Sequence, residues 1–160
     1  MLRKINNPFP ALAGDAYRCF GCSPFNDHGL HLQFQEDDGE VFCCWTPTAK
    51  FEGWRGVVHG GILATIIDEV ANWFILTRQK TAGVTSEMTV KYLKPVRINN
   101  GEIKVIARFF SQEKQTVTLS CLVTDKEGIQ YAGAKVSYFL FPQNVAGLKY
   151  NYPGPDAFYT

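Results

Sequence analysis

Long uninterrupted apolar runs are missing from this 160-residue chain. No stretch reaches the ~20 apolar residues that a membrane span needs. The closest, Gly60 to Leu76, is interrupted by Asp68, Glu69 and Asn72, so no membrane partner is expected. An excess of one charge is missing too: 16 Lys and Arg face 15 Asp and Glu, a formal net charge of +1. The basic residues are also scattered, which argues against a nucleic-acid footprint. Met1-Leu2-Arg3-Lys4-Ile5-Asn6 lacks the apolar core of a secretory signal. Five cysteines are an odd number in a chain long enough to build its own core, so free thiols in a reducing cytoplasm are the expectation.

Breakers dominate the first 27 residues (Pro8, Pro10, Gly14, Gly21, Pro24 and Asn26), which read as an N-terminal arm. Residues 28–141 form the folded domain. Leu30-His31-Leu32-Gln33-Phe34 alternates as a half-buried strand does, Asp37-Asp38-Gly39 turns, and Val41 to Trp45 returns. After a Gly-containing loop over 48–57, a long apolar helix is expected from His59 to Arg78, with Gly83 closing its connection. Four alternating segments follow, Thr85–Leu93, Gly101–Phe110, Thr116–Thr124 and Gln130–Phe141, separated by turn-forming clusters. Residues 142–160 show no period and read as a C-terminal tail, either an extended arm or partly disordered. Hairpin connections imply a mostly antiparallel sheet of about six strands. A helix apolar nearly all round must be buried on more than one side. The expectation is an α+β domain, its sheet wrapped around one long central helix.

The chemistry concentrates in Val58-His59-Gly60-Gly61-Ile62-Leu63-Ala64-Thr65-Ile66-Ile67-Asp68-Glu69. Glycine is a poor way to begin a helix, unless another backbone or a ligand must approach its first N–H groups. Those N–H groups lack partners inside the helix and lie at the positive end of its dipole. They suit a developing oxyanion. Asp68 is a carboxylate on a helix otherwise lined by apolar residues, where burial would penalise its charge. A donor and a misplaced acid on one helix point to chemistry at a carbonyl.

These residues resemble the hotdog-fold acyl-CoA thioesterases, in the branch related to the phenylacetate-pathway (PaaI-like) enzymes. Three segments carry the resemblance, which spans roughly residues 17–141. One is Val58-His59-Gly60-Gly61 with Asp68 nine positions after the histidine. Another is the strand Thr85-Ser86-Glu87-Met88-Thr89-Val90-Lys91-Tyr92-Leu93-Lys94-Pro95. The third is Cys19-Phe20-Gly21-Cys22-Ser23-Pro24-Phe25-Asn26-Asp27-His28-Gly29-Leu30. Many relatives carry an Asn six positions before the histidine; here that position is Gly53.

The resemblance implies a hotdog fold, hydrolysis of an acyl or aryl thioester of CoA or an acyl-carrier protein, and no cofactor. It makes Asp68 the catalytic acid and Gly60 the oxyanion donor. Thr85 would position water or the acid, with Ser86 as its substitute one register away. His59, Gly61 and Trp54 would shape the substrate site. Gly60 and Asp68 lie ~12 Å apart along one helix, too far for both to reach one carbonyl. Two antiparallel helices in a two-fold homodimer would bring them together, and the family often pairs such dimers into tetramers. The proposed reaction uses the Gly60 N–H to hold the oxyanion, with Asp68 as general base or as nucleophile.

Rival readings attach to the same residues. Glu69 is the alternative acid. His59 could shape the helix start through its ring N–H, or act as the base of a thioester hydratase or dehydratase. A non-catalytic acyl-thioester binding module would not require Asp68. Cys19 and Cys22 with His28 and His31 suggest zinc, but His31 falls in the strand alternation and no second Cys pair exists. The expectation is no metal. A redox Cys-x-x-Cys needs a helix N-terminus to lower its thiol pKa, and loop breakers flank this one. Cys43, Cys44 and Cys121 read as core, Trp45, Trp54 and Trp73 as packing, with Trp54 also placed to line an acyl pocket, and Lys91, Lys94 and Arg97 either as contacts for CoA phosphates or as ordinary solvated charges.

Overall fold

A computed structural model describes residues 1–159. Seven strands form a single sheet: β1 (Arg3–Ile5), β2 (Phe34–Asp37), β3 (Glu40–Trp45), β4 (Gly83–Tyr92), β5 (Ile103–Glu113), β6 (Thr116–Asp125) and β7 (Gln130–Leu140). Their order is β1-β2-β3-β5-β6-β7-β4, and every pairing is antiparallel. Among the described residues three α-helices accompany them: α1 (Phe9–Ala13), α2 (Gly60–Phe74) and α3 (Gln143–Tyr150). The wrapped-helix expectation holds, since α2 packs against β3, β4, β5, β6 and β7.

The burial follows from the residue pattern. Ile66, Ile67, Val70 and Trp73 of α2 are inaccessible or nearly so. They share one core cluster with the inward alternation Ala132, Val136 and Tyr138 of β7 and Val117 and Leu119 of β6. Trp73 stacks on Phe34 with centroids 4.5 Å apart and meets Phe158 edge-on at 5.7 Å. A π-helical turn over Ile75–Gln79 extends α2. The continuous segment Gly60–Gln79 is long and apolar enough to cross a membrane by length and composition alone. Here it is the core helix.

Several expectations need correction. The sheet has seven strands rather than about six, because the N-terminal arm supplies β1, which pairs Ile5 with Phe34. Three residues are too few for alternation to show. β2 begins at Phe34 rather than Leu30, because His31 adopts φ 52° and turns the chain. Leu30 and Leu32 instead donate their N–H groups to Phe20 O and Gly21 O. Lys80, at φ 57°, ends the long helix, and Gly83 already lies in β4. The tail is folded rather than extended: α3 and a 3-10 turn over Pro155–Phe158 return it to the core. Tyr152 OH donates to Leu76 O at 3.0 Å, and Phe158 is fully buried. Cys44 is exposed while Cys43 is buried, as the two-residue period of a strand requires.

Candidate active site

Two separate constellations lie along α2. The first is at its start. His59 caps the helix, with backbone ψ 131° and its ring Nδ1 accepting the Gly61 N–H at 2.9 Å. The ring was expected to act through an N–H; it acts as an acceptor, so its proton lies on Nε2. This cap occupies the Gly61 donor and leaves the Gly60 N–H, the first of the helix, without an intrahelical partner. Close approach is tightest at Gly61, where a Cβ would stand 3.0 Å from His59 Nδ1. At Gly60 a Cβ would meet the Tyr92 ring at an ordinary 3.5 Å. Tyr92 OH donates to Gly60 O at 2.8 Å, which ties the end of β4 to the helix start. Gly53 packs against His59, and a Cβ there would lie 3.2 Å from the ring. A larger residue, such as the Asn of many relatives, would press on the cap.

A cleft of about 720 Å³ opens at this end. Trp54, His59, Gly60, Leu63, Tyr92 and Lys94 are among its lining residues. Trp54 is 86% exposed, a large apolar side chain standing at the mouth rather than packed inside.

The second constellation surrounds Asp68, two turns along. Its Oδ1 accepts Thr85 Oγ1–H at 2.7 Å and Tyr138 O–H at 2.6 Å. The Tyr138 oxygen also lies 2.8 Å from Asp68 O. Among the described residues nothing donates to Oδ2. Burial, then the Asp68 charge, push the Tyr138 phenol well above its usual range, so it remains a donor. Thr85 and Tyr138 are partners in the sheet register, hence on one face.

That pairing depends on a β-bulge at Ser86. On one side of it Thr85 pairs with Tyr138, and on the other Glu87 pairs with Ser137, leaving Ser86 as the extra residue. Met88 and Val90, opposite the inward Val136 and Ala134, pack against the core. A regular strand would therefore turn Ser86 inward and Thr85 outward. The bulge re-aims Thr85 at the carboxylate. Ser86 Oγ instead donates to Ser137 O at 3.1 Å.

Glu69 points elsewhere, about 100° around the helix. Its Oε1 lies 3.4 Å from Cys19 Sγ, and Cys22 Sγ donates to Cys19 Sγ at 3.3 Å. Tyr17 OH is 3.0 Å from Cys22 Sγ. Burial first, then the Cys19 charge, push the Glu69 carboxyl up to about 8. The S–H of Cys22 first, helped by the backbone N–H groups of Cys22 and Gly21, holds the Cys19 thiol down to about 5. This group includes no histidine: His31 Nε2 sits 2.7 Å from Asn26 O, and His28 is exposed.

Sequence reasoning placed Thr85 beside Asp68 and the glycines at the helix start. It missed Tyr138, Tyr92 and the Glu69 cluster. Tyr138 was visible only as one of the inward residues of β7.

Comparisons with known proteins agree with this architecture. Residues 55–132 match the family model of the Thioesterase superfamily. Human acyl-coenzyme A thioesterase 13 is 27% identical over 89 residues, covering 55% of this chain and 63% of that protein. The chain thus matches less than two thirds of the length of such relatives. The PaaI protein of the E. coli phenylacetic acid degradation operon superposes with a TM-score of 0.63, at 22% identity, over 71% of this chain and 82% of that one. The protein smu.793 of Streptococcus mutans, solved bound to acetyl CoA, gives a TM-score of 0.61 at 21% identity, over 66% of this chain and 83% of its own.

Proposed function

We propose that this chain, a hotdog-fold member of the thioesterase superfamily, hydrolyses an acyl- or aryl-CoA thioester in sites that two copies build together. The observation that carries the reading is the split along α2. A carboxylate oriented by two hydroxyls stands at one position, and an unused helix N–H opens into a cleft ~12 Å away.

β4 supports the pairing of two copies. It is the last strand of the sheet, ten residues long, with most residues exposed. A long unpaired edge of this kind invites another strand. An antiparallel pairing about a two-fold axis between Met88 and Thr89 sets Thr85 of one copy opposite Tyr92 of the other. Thr85 holds Asp68 and Tyr92 holds Gly60, so each crossing joins one acid to one donor. Two equal sites result.

In each site the thioester oxygen accepts the Gly60 N–H. Thr85 donates its hydroxyl hydrogen bond to Asp68 Oδ1, so its free lone pairs accept from a water beside Oδ2. Asp68 takes a proton from that water as hydroxide attacks the carbonyl carbon. The negative charge that develops on the oxygen is stabilised by the Gly60 donor, an effect of ~2.7–4 kcal/mol. The C–S bond then breaks, and the leaving thiolate takes the proton from Asp68. Trp54 flanks the acyl path and Lys94 stands at the cleft rim for the CoA phosphates. A hydratase is disfavoured because His59 Nδ1 is engaged as the helix cap.

Thiol release across short, medium, long and aromatic acyl-CoAs tests the reaction. Two individually inactive variants test the shared site. Asp68→Asn removes the base. Gly60→Pro removes the donor N–H while suiting the first helical position, and His59 already has the extended backbone required before proline. Mixed subunits should regain about a quarter of wild-type turnover, since about half the dimers are mixed and each has one intact site. Mixed dimers that form but stay inactive would overturn the shared site.

A further inference from the structure

We propose that Cys19, Cys22 and Glu69 form a zinc site that fastens the N-terminal arm to α2. The inference does not rest on the hydrolytic reading. The ligand atoms of these three residues all lie within 4.8 Å of one another. Cys19 Sγ is 3.3 Å from Cys22 Sγ and 3.4 Å from Glu69 Oε1. Tetrahedral zinc, with bonds of ~2.3 Å to sulfur and ~2.0 Å to oxygen, sets two thiolates ~3.8 Å apart and a thiolate and an oxygen ~3.5 Å apart. The thiols therefore need to part by only about half an ångström.

A second observation points to a ligand. Glu69 Oε2 is buried and has no hydrogen-bond partner. Buried polar atoms are rarely left so. A disulfide between Cys19 and Cys22 would use both thiols and still leave that oxygen unsatisfied. A cation serves all three groups at once. Two thiolates with one carboxylate suit Zn²⁺ better than a hard cation such as Ca²⁺ or Mg²⁺, which prefers oxygen throughout.

The surrounding chain fits the same role. A Cβ on Gly21 would come within 2.2 Å of Glu69 Cγ, so only glycine lets this turn close over the carboxylate. Cys19 and Cys22 also line a cavity of about 640 Å³ with Tyr17, Asn72 and Trp73. This gives the ion a way in and a water a place at the fourth coordination position.

The test uses the full chain, reduced with a phosphine and stripped by chelator, then titrated with Zn²⁺ and with Co²⁺. One zinc retained per chain after desalting is expected. The cobalt form should show near-ultraviolet thiolate-to-metal charge transfer and the intense visible bands of a tetrahedral site. Glu69→Gln should weaken zinc at least tenfold and alter the cobalt spectrum. Cys19→Ser and Cys22→Ser should abolish the charge-transfer band. A reduced wild-type chain that retains no zinc overturns the proposal, as does unchanged zinc affinity in Glu69→Gln. The wild-type cobalt spectrum decides the matter even if a variant fails to fold.

Discussion

Asp68 and Glu69 are neighbours in sequence, on one helix, with the same charged group, yet their surroundings differ in every respect. Asp68 faces β4 and β7, where two hydroxyls donate to one of its oxygens and no described residue donates to the other. Glu69 faces the arm, where a thiol shares its first oxygen and the second is sealed from water. Burial pushes Glu69 up to about 8, so it holds a proton far more readily than an ordinary carboxyl. Hydrogen-bond donors favour a carboxylate, whereas burial favours the acid. The helix supplies only the direction in which each side chain points; the elements packed on the two faces determine its chemistry.

Exchanging each carboxylate for its amide separates the two faces most sharply. Asp68→Asn keeps the shape and loses the proton acceptor, so turnover should fall by ~10²–10⁴-fold. Glu69→Gln should keep turnover within a few-fold, because nothing on its side meets the cleft. Initial rates of thiol release measure both. If Glu69→Gln proves the slower enzyme, the faces have been assigned the wrong way round.

The next contrast lies within β4, at the bulge. Thr85→Ala removes one of two donors to Asp68 and, in the proposed reaction, the anchor for the attacking water, and a loss of roughly tenfold or more is expected, the scale of a charge-assisted hydrogen bond. Ser86→Ala removes only the bond to Ser137 O and should leave the rate close to wild type. A regular strand would exchange these two results, so the pair of rates reports the bulge in solution. Turnover is compared at a temperature well below the thermal midpoint of either variant.

The same residues show how far the chain alone could be read. The long apolar helix, the alternating segments after it and the turns between them are all periodic, and periodicity is what a sequence displays directly. Asp68 was legible because a carboxylate breaks that pattern, and Thr85 because its motif resembles a known strand. Tyr138 was not, since an inward aromatic on β7 has the same spacing whether its hydroxyl is idle or aimed at a carboxylate. The bulge left no mark, because one extra residue in a strand changes nothing in composition. β1 was too short to show a period, and the tail is held by single aromatic anchors such as Tyr152 and Phe158. The Glu69 cluster joins residues 50 positions apart, and His28 and His31 offered closer partners in sequence that the fold directs elsewhere.

The smallest expected effect on turnover comes from the glycine on the Glu69 side. Gly21→Ala places a methyl where Glu69 Cγ, Cδ and Oε2 would lie at 2.2, 2.4 and 2.7 Å. The side chain must swing or the turn must open, and overpacking of this kind costs ~1–3 kcal/mol. The thermal midpoint should drop by several degrees, and zinc-dependent stabilisation should shrink with it, because the carboxylate can no longer reach the thiols. Asp68 lies on the other face and keeps its two donors, so the rate per folded molecule should hold. Calorimetry with and without zinc, paired with thiol release at low temperature, separates the two quantities. A Gly21→Ala chain whose rate falls in step with its stability would mean that the two faces of α2 are coupled, and that the arm reaches the reaction through the helix.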